Sequence, residues 1–161
     1  QMGQNLQSQM LEHLLRANGI DSQLLSFEMT LPQIRDVSKA VPAEVLIYGR
    51  LPLMVMENCV MKNRTGTCSC QTTQTKLIDR MGEEFPIVKD PGTCRNVLLN
   101  GKKLYLLDKK ESFRGMGLWA LRLQFTTENA GEVDRVLSEY RSGARFEPGS
   151  CTRGLYNRGV E

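Results

Sequence analysis

Cys59, Cys68, Cys70 and Cys94 are the residues whose type and grouping most invite chemistry. Eight, one and twenty-three residues separate them, and Cys151 lies far along the chain. Thiolates are soft ligands that suit zinc or an iron–sulfur cluster. Four of them cancel much of a cation's charge and can complete a closed site. The stretch "NRTGTCSC" is polar and flexible, so its backbone can wrap around an ion. Lys62, Arg64 and Arg95 can offset the thiolate charge. The spacing is not that of two C-x-x-C knuckles. Reduced, half-buried cysteines are the alternative, because a free thiol packs as a small apolar group. A disulfide framework fits poorly. Five cysteines are an odd number, and "QMGQNLQSQM" has neither the basic start nor the apolar run of an export signal. Spacing alone leaves a metal site and ordinary thiols both open.

Other groups suggest less. His13 is the only histidine. It falls on a predicted helix beside Glu12 and Arg16 and reads as a surface residue, which argues against a Ser–His or Cys–His triad. There is no glycine-rich phosphate loop and no H-E-x-x-H zinc pattern. Hydrophobic residues make up 40% of the chain and charged residues 24%, as in ordinary soluble domains. No apolar run approaches the ~20 residues that span a bilayer, so the sequence predicts a cytoplasmic protein with no membrane partner. The net charge of +3 is uneven: residues 1–58 carry net −2 and residues 59–161 net +5. The basic part admits an anionic partner, and a solvated surface is the simpler account.

The elements that must position these residues change character near residue 57. Leu6, Met10, Leu11, Leu14 and Leu15 share a helical face that stops at Asn18-Gly19. "QLLSFEM" reads as a strand. "TLPQIRDVSKAV" reads as a helix with Thr30 as N-cap, Gln33 in the capping-box position and Pro32 in the first turn. Ile34, Val37 and Val41 are its buried stripe. "EVLIYGRLPLMVM" reads as a buried strand bent or interrupted at Gly49 and Pro52, with Met54 and Met56 as core fillers. Helix–strand–helix–strand order with apolar strands predicts a covered parallel sheet. After residue 57 the strands are short: "KLIDR", "EFPIVKD", "NVLLNGKKLYLLDK" and "LWALRLQFT". Asn100-Gly101 is a hairpin signal. "ENAGEVDRVLSEYRSG" is a helix with Val133, Val136, Leu137 and Tyr140 inward and Gly143 as its stop. The tail "CTRGLYNRGVE" reads as irregular.

"EVLIYGRLPLMVMENCVMKNRTGTCSC", "LIDRMGEEFPI", "CRNVLLNGKKLYLLD" and "TRGLYNRGVE", in that order, resemble the collagenase-like U32 peptidases, over roughly residues 4–161. The resemblance implies an α/β to α+β chain. Residues 1–56 would be the last two helix–strand units of a TIM-like barrel, and residues 57–161 a Cys-bearing, mainly β extension with one helix. It implies that the remainder of the barrel is a partner, supplied by a longer chain. It also implies Cys59, Cys68, Cys70 and Cys94 as ligands of a [4Fe–4S] cluster in the full-length protein, with Zn as the alternative and an isolated fragment as a poorer host. The tight Cys68-Ser69-Cys70 spacing departs from the cluster-bearing relatives. Cys151 stands where the family tail commonly has an aromatic residue, and it reads as packed.

In a TIM barrel the chemistry sits at the carboxyl ends of the strands. Glu28 ends one predicted strand, and Tyr48, Gly49 and Arg50 end the next. Glu28 suits a general acid/base or a metal ligand, and Arg50 a bidentate hold on a carboxylate or phosphate. An internal Glu–Arg pair closing the barrel mouth is the structural alternative. The function classes are then a peptidase part acting on peptides, an RNA-modification protein with a redox cluster and RNA as partner, and a metal-stapled binding module. Strands 23–28 and 44–49, without the remainder of a barrel, would expose edges and favour self-association.

Overall fold

The computed structural model describes residues 10, 13–37, 39, 41–67, 75–90, 93–143 and 149–156. Residues 13–17 are helical and form α1. There follow β1 (Gln23–Leu24), α2 (Leu31–Asp36), β2 (Ala43–Gly49), β3 (Pro52–Met56), α3 (Val60–Thr65), β4 (Thr75–Ile78), β5 (Glu84–Lys89), β6 (Asn96–Leu99) and β7 (Lys103–Tyr105). A 3-10 helix (Leu107–Phe113), β8 (Ala120–Leu123), α4 (Ala130–Ser142) and β9 (Cys151–Thr152) complete the described chain. The fold is mixed α/β. Among the described residues, no helix is long and apolar enough to cross a membrane.

β2 organises the first sheet, and all seven of its residues are buried. β8 runs parallel along it, from Glu44↔Ala120 to Tyr48↔Leu123. β1 pairs in parallel at Ala43 and Glu44, and β7 pairs antiparallel at Tyr48 and Gly49. A strand has only two edges, and Glu44 and Tyr48 each meet β8 as well. β1 and β7 therefore share the edge opposite β8. Strand 44–49 is thus not an edge, contrary to the expectation from sequence, because β7 and β8 return from later in the chain to cover it. Leu25, Ile34, Val45, Ile47, Leu104 and Phe113 are among the residues of the core built on this sheet.

The second sheet has the order β3-β6-β5-β4 and is antiparallel throughout. Its first strand is not buried: Leu53, Met54 and Val55 are each more than half exposed. Met54 is therefore no core filler. The break between β2 and β3 falls where Gly49 takes a φ of +134°, a value open to glycine alone.

Three local readings are corrected. The strand at 23–28 shrinks to β1, because Ser26 turns the chain: its hydroxyl accepts from the Glu28 N–H at 3.2 Å and its carbonyl from the Met29 N–H at 3.2 Å. Such local bonds compete with a ladder. Asn100-Gly101 is not a hairpin, since β6 and β7 belong to different sheets. Gly101 is required by close approach: an added Cβ would lie 2.8 Å from the Glu84 carbonyl oxygen and 2.5 Å from Glu83 Oε1. The tail is not irregular throughout, because β9 pairs in parallel with β7 (Lys103↔Cys151) and Tyr156 packs edge-on against Phe113 at 5.7 Å.

α2 starts where its cap predicts, and α4 starts on a capping box at Asn129. Gln33 Oε1 accepts from the Thr30 N–H at 2.8 Å. α2 ends early, at Asp36, where Lys39 Nζ donates to the carbonyls of Arg35 and Val37. Asn129 Oδ1 accepts from the Glu132 N–H at 3.0 Å, and Glu132 Oε2 from the Asn129 N–H at 2.9 Å. Gly143 closes α4 in the left-handed region. Asn129→Ala is expected to cost about 1 kcal/mol, seen in thermal unfolding as a fall of about 3 °C.

Candidate functional site

The thiols are set by the β3–β6 ladder. The last pair of that ladder is Met56↔Asn96. Cys59 follows β3 and Cys94 precedes β6, so the antiparallel pairing brings both segments to one end of the sheet. Two bonds tie these segments together. Asn96 Oδ1 accepts from the Val60 N–H at 2.8 Å, and Arg95 Nε donates to Glu57 Oε2 at 2.9 Å. Cys59 caps α3, its sulfur accepting from the Lys62 N–H at 3.5 Å. Cys59 and Cys94 are free thiols, the first half-buried and the second exposed. Cys68 and Cys70 lie outside the described residues. Among the described residues no three His, Cys, Asp or Glu side chains group closely enough to hold an ion.

The second candidate lies at the carboxyl ends of the parallel pair β2 and β8. Arg50 follows β2, and its guanidinium donates to Thr127 Oγ1 at 3.2 Å, to the Asn100 carbonyl at 2.8 Å and to the Gly101 carbonyl. It ties the two sheets together where the chain crosses between them. Glu28 is exposed in the turn after β1, and no Glu28–Arg50 pair forms. Tyr48 is buried, with its hydroxyl 3.4 Å from Glu128 Oε1. Glu128 Oε1 also meets Lys103 Nζ at 2.9 Å, and the Glu128 side chain has no exposed surface. Lys103 reaches Glu132 Oε1 as well, at 3.4 Å.

The electrostatics of this cluster are coherent. Burial pushes the Tyr48 phenol above its ordinary pKa, so it stays protonated. Burial also works against a charged Glu128, but the Lys103 hydrogen bond and backbone N–H groups outweigh it and hold the carboxyl below its usual range. Burial works against the Lys103 ammonium, and the Glu128 hydrogen bond and charge outweigh it, so its pKa is raised. The pair is thus a stable ion pair between the sheet and the segment that starts α4.

Lys103, Glu128 and Glu132 carry no signature in the sequence beyond the Asn129/Glu132 capping box. Their meeting with Tyr48 depends on β7 and β8 flanking β2, which no local pattern announces.

No curated protein and no solved structure matches the chain. The family model described as Peptidase family U32 matches residues 4–145. That span holds Cys59, Cys94 and the whole Tyr48–Lys103–Glu128 cluster, and over most of its length the chain belongs to peptidase family U32.

Proposed function

We propose that the chain is the C-terminal part of a U32 peptidase-family protein in which Cys59, Cys68, Cys70 and Cys94 hold a [4Fe–4S] cluster or a zinc ion. The observation that carries this reading is the tying of the Cys59 and Cys94 segments to one end of the β3–β6 ladder. Lys62 and Arg64 lie on α3, the helix that Cys59 caps, and would offset thiolate charge there, while Arg95 is paired with Glu57. A cluster would supply one-electron transfer, and zinc a cross-link that stabilises the fold. The parallel run β1–β2–β8 supports a second part of the reading, that these strands close a TIM-like barrel whose other strands a longer chain supplies. Tyr48 and Arg50 then serve as positioning residues at the strand ends, and Glu28 offers an exposed carboxylate to a substrate. Peptides are the substrate class that family membership favours.

The test is metal analysis of the chain and of the full-length protein, both purified without oxygen. Iron with acid-labile sulfide and a brown colour is expected in the full-length protein, bleached by Cys94→Ser with the fold retained. Zinc without sulfide leaves the structural cross-link. Neither metal in either protein overturns the reading.

RNA modification is a second reading, favoured by one observation. Trp119 is 65% exposed and lines a groove of about 600 Å³ with Lys110, Arg114 and Arg141. An indole can stack on a base while guanidinium groups meet phosphates. Trp119 is the only tryptophan, so quenching of intrinsic fluorescence by a single-stranded oligoribonucleotide, weakening as salt rises, is the expected result. Unchanged fluorescence rejects it.

A further inference from the structure

We infer that the cleft between the two sheets binds a free α-amino acid with an apolar side chain, its carboxylate on Arg50 and its ammonium on Glu83. The site is separate from the thiols, and the function proposed from them does not bear on it.

The cleft has a volume of about 740 Å³. Its charges sort into pairs, with two left over. Lys76 meets Glu84 at 2.5 Å, and Lys103 meets Glu132 at 3.4 Å and Glu128 at 2.9 Å. Arg50 and Glu83 line the same cleft, and neither has an ionic partner among the described residues. Arg50 bonds only neutral groups. Its Nε donates to Thr127 Oγ1, and its Nη1 to the carbonyls of Asn100 and Gly101. Nη2 carries two further N–H groups, and these have no partner among the described residues. The Glu83 carboxylate has none either. Neither Nη2 nor the Glu83 oxygens are buried, so both groups meet the water of the cleft. A charge partly withdrawn from water and left without a counter-charge favours an ionic partner. Two such charges of opposite sign, in a lining that is otherwise balanced, select a zwitterion. A simple anion or cation gains one contact and is repelled by the other charge.

Gly101 sets the spacing. Its carbonyl accepts from Arg50 Nη1, and Glu83 Oε1 lies 2.5 Å from where a Cβ on its Cα would stand. Along this path of bonds and contacts, the Glu83 oxygen is no more than about 11 Å from Nη2. With no ion pair between them, it is beyond about 4 Å. An α-amino acid carries its two charges about 3 Å apart. With a hydrogen bond of about 2.8 Å at each end it spans about 9 Å, which fits. A dipeptide zwitterion needs about 12 Å, which does not. Pro86 and Val88 are two residues apart on β5, so they project to one face. Both are half-buried and line the cleft, and they offer an apolar surface to the guest's side chain.

The probe is L-leucine, titrated into the chain at neutral pH and followed by calorimetry. Saturable binding with a dissociation constant of about 1 mM is expected, the scale of a small ligand held by two solvent-accessible charge contacts. The analogue 4-methylpentanoate lacks the ammonium, and 3-methylbutylamine lacks the carboxylate. Each should bind about tenfold more weakly, as one charge-assisted hydrogen bond is lost. Arg50 joins the two sheets, so the variant is made at Glu83, whose side chain holds no described neighbour. Glu83→Gln should weaken leucine binding about tenfold with native circular dichroism. It should not weaken 4-methylpentanoate, whereas general damage to the cleft would weaken both. No saturation by about 20 mM leucine, equal binding of either single-charge analogue or of glycylleucine, or leucine binding unaltered by Glu83→Gln overturns the proposal.

Discussion

Glu128→Ala is expected to lower folding stability by about 3 kcal/mol, read as a lower urea midpoint at unchanged slope. The Glu128 side chain has no exposed surface and sits 2.9 Å from Lys103. Its removal leaves the ammonium with the longer contact to Glu132 as its one remaining carboxylate. It also strips the acceptor from the N–H groups of Thr126 and Thr127, bonded at 2.8 and 3.1 Å. The exposed pair Arg35–Asp36 is the control, because solvent screens a surface pair and its removal should leave the midpoint nearly unchanged. The pH profile gives a second readout. The folded state lowers the Glu128 pKa, so its contribution is present above the ordinary carboxylate range and is lost as pH falls through the lowered value. The folded state raises the Lys103 pKa. That contribution is full below the ordinary lysine value of about 10.4 and is lost as pH rises through the raised value. The native protein should therefore be flat between these limits and lose stability beyond each. The variant should lose part of the acid slope. An acid profile identical to that of the native protein would show that Glu128 is not the titrating group.

Gly49→Ala is expected to be more damaging, lowering the unfolding temperature by about 10 °C or preventing folding. Gly49 has a φ of +134°, and an added Cβ would lie 2.3 Å from the Gln124 carbonyl oxygen. That carbonyl cannot move aside, because the Gln124 N–H donates to the Tyr48 carbonyl at 2.9 Å as the β2–β8 ladder ends. Strain and collision therefore act on the same bond. Gly66 separates the two effects. Its φ is +74° and nothing lies within 4 Å of an added Cβ, so Gly66→Ala should cost only the backbone penalty of about 1–2 kcal/mol. Equal losses at the two positions would mean that the approach of β8 to Gly49 does not matter.

The ranking of these effects follows from where each residue's partners come from. Asn129 and Thr30 find theirs within three residues; the Thr30 box was read in the sequence, and the Asn129 box, equally local, was not. Gly143 ends α4 for an equally local reason. The U32 resemblance was legible as well, since it rests on ordered motifs.

Asn100-Gly101 shows how local legibility fails. Its residue types suit a hairpin, yet β6 and β7 separate into different sheets, and the glycine answers Glu83 and Glu84 instead of a turn. The tail failed in the same way. Gly and Arg suggested irregular chain, but β9 finds its ladder on β7, nearly fifty residues earlier in sequence. Met54 was misjudged because apolar character says nothing about whether a sheet face is covered.

What the sequence determined by itself was α2 with its cap, α4 with its stop, the apolar run of β2 and the family; α3 and the 3-10 helix were not read from it. Each is written in neighbouring residues or in motif order, where propensity and side-chain bonds act over a few positions. Tertiary structure alone decided that β8 lies beside β2. That pairing brings Glu128 to Tyr48 and Lys103 across dozens of residues. It also decided that Arg50 is bonded to the carbonyls of Asn100 and Gly101, and that Glu83 comes to the same glycine. These depend on which strand edges meet, and an edge offers the same N–H and C=O groups whatever its side chains. The choice among partners is made by burial over the whole core, which no short stretch of sequence contains.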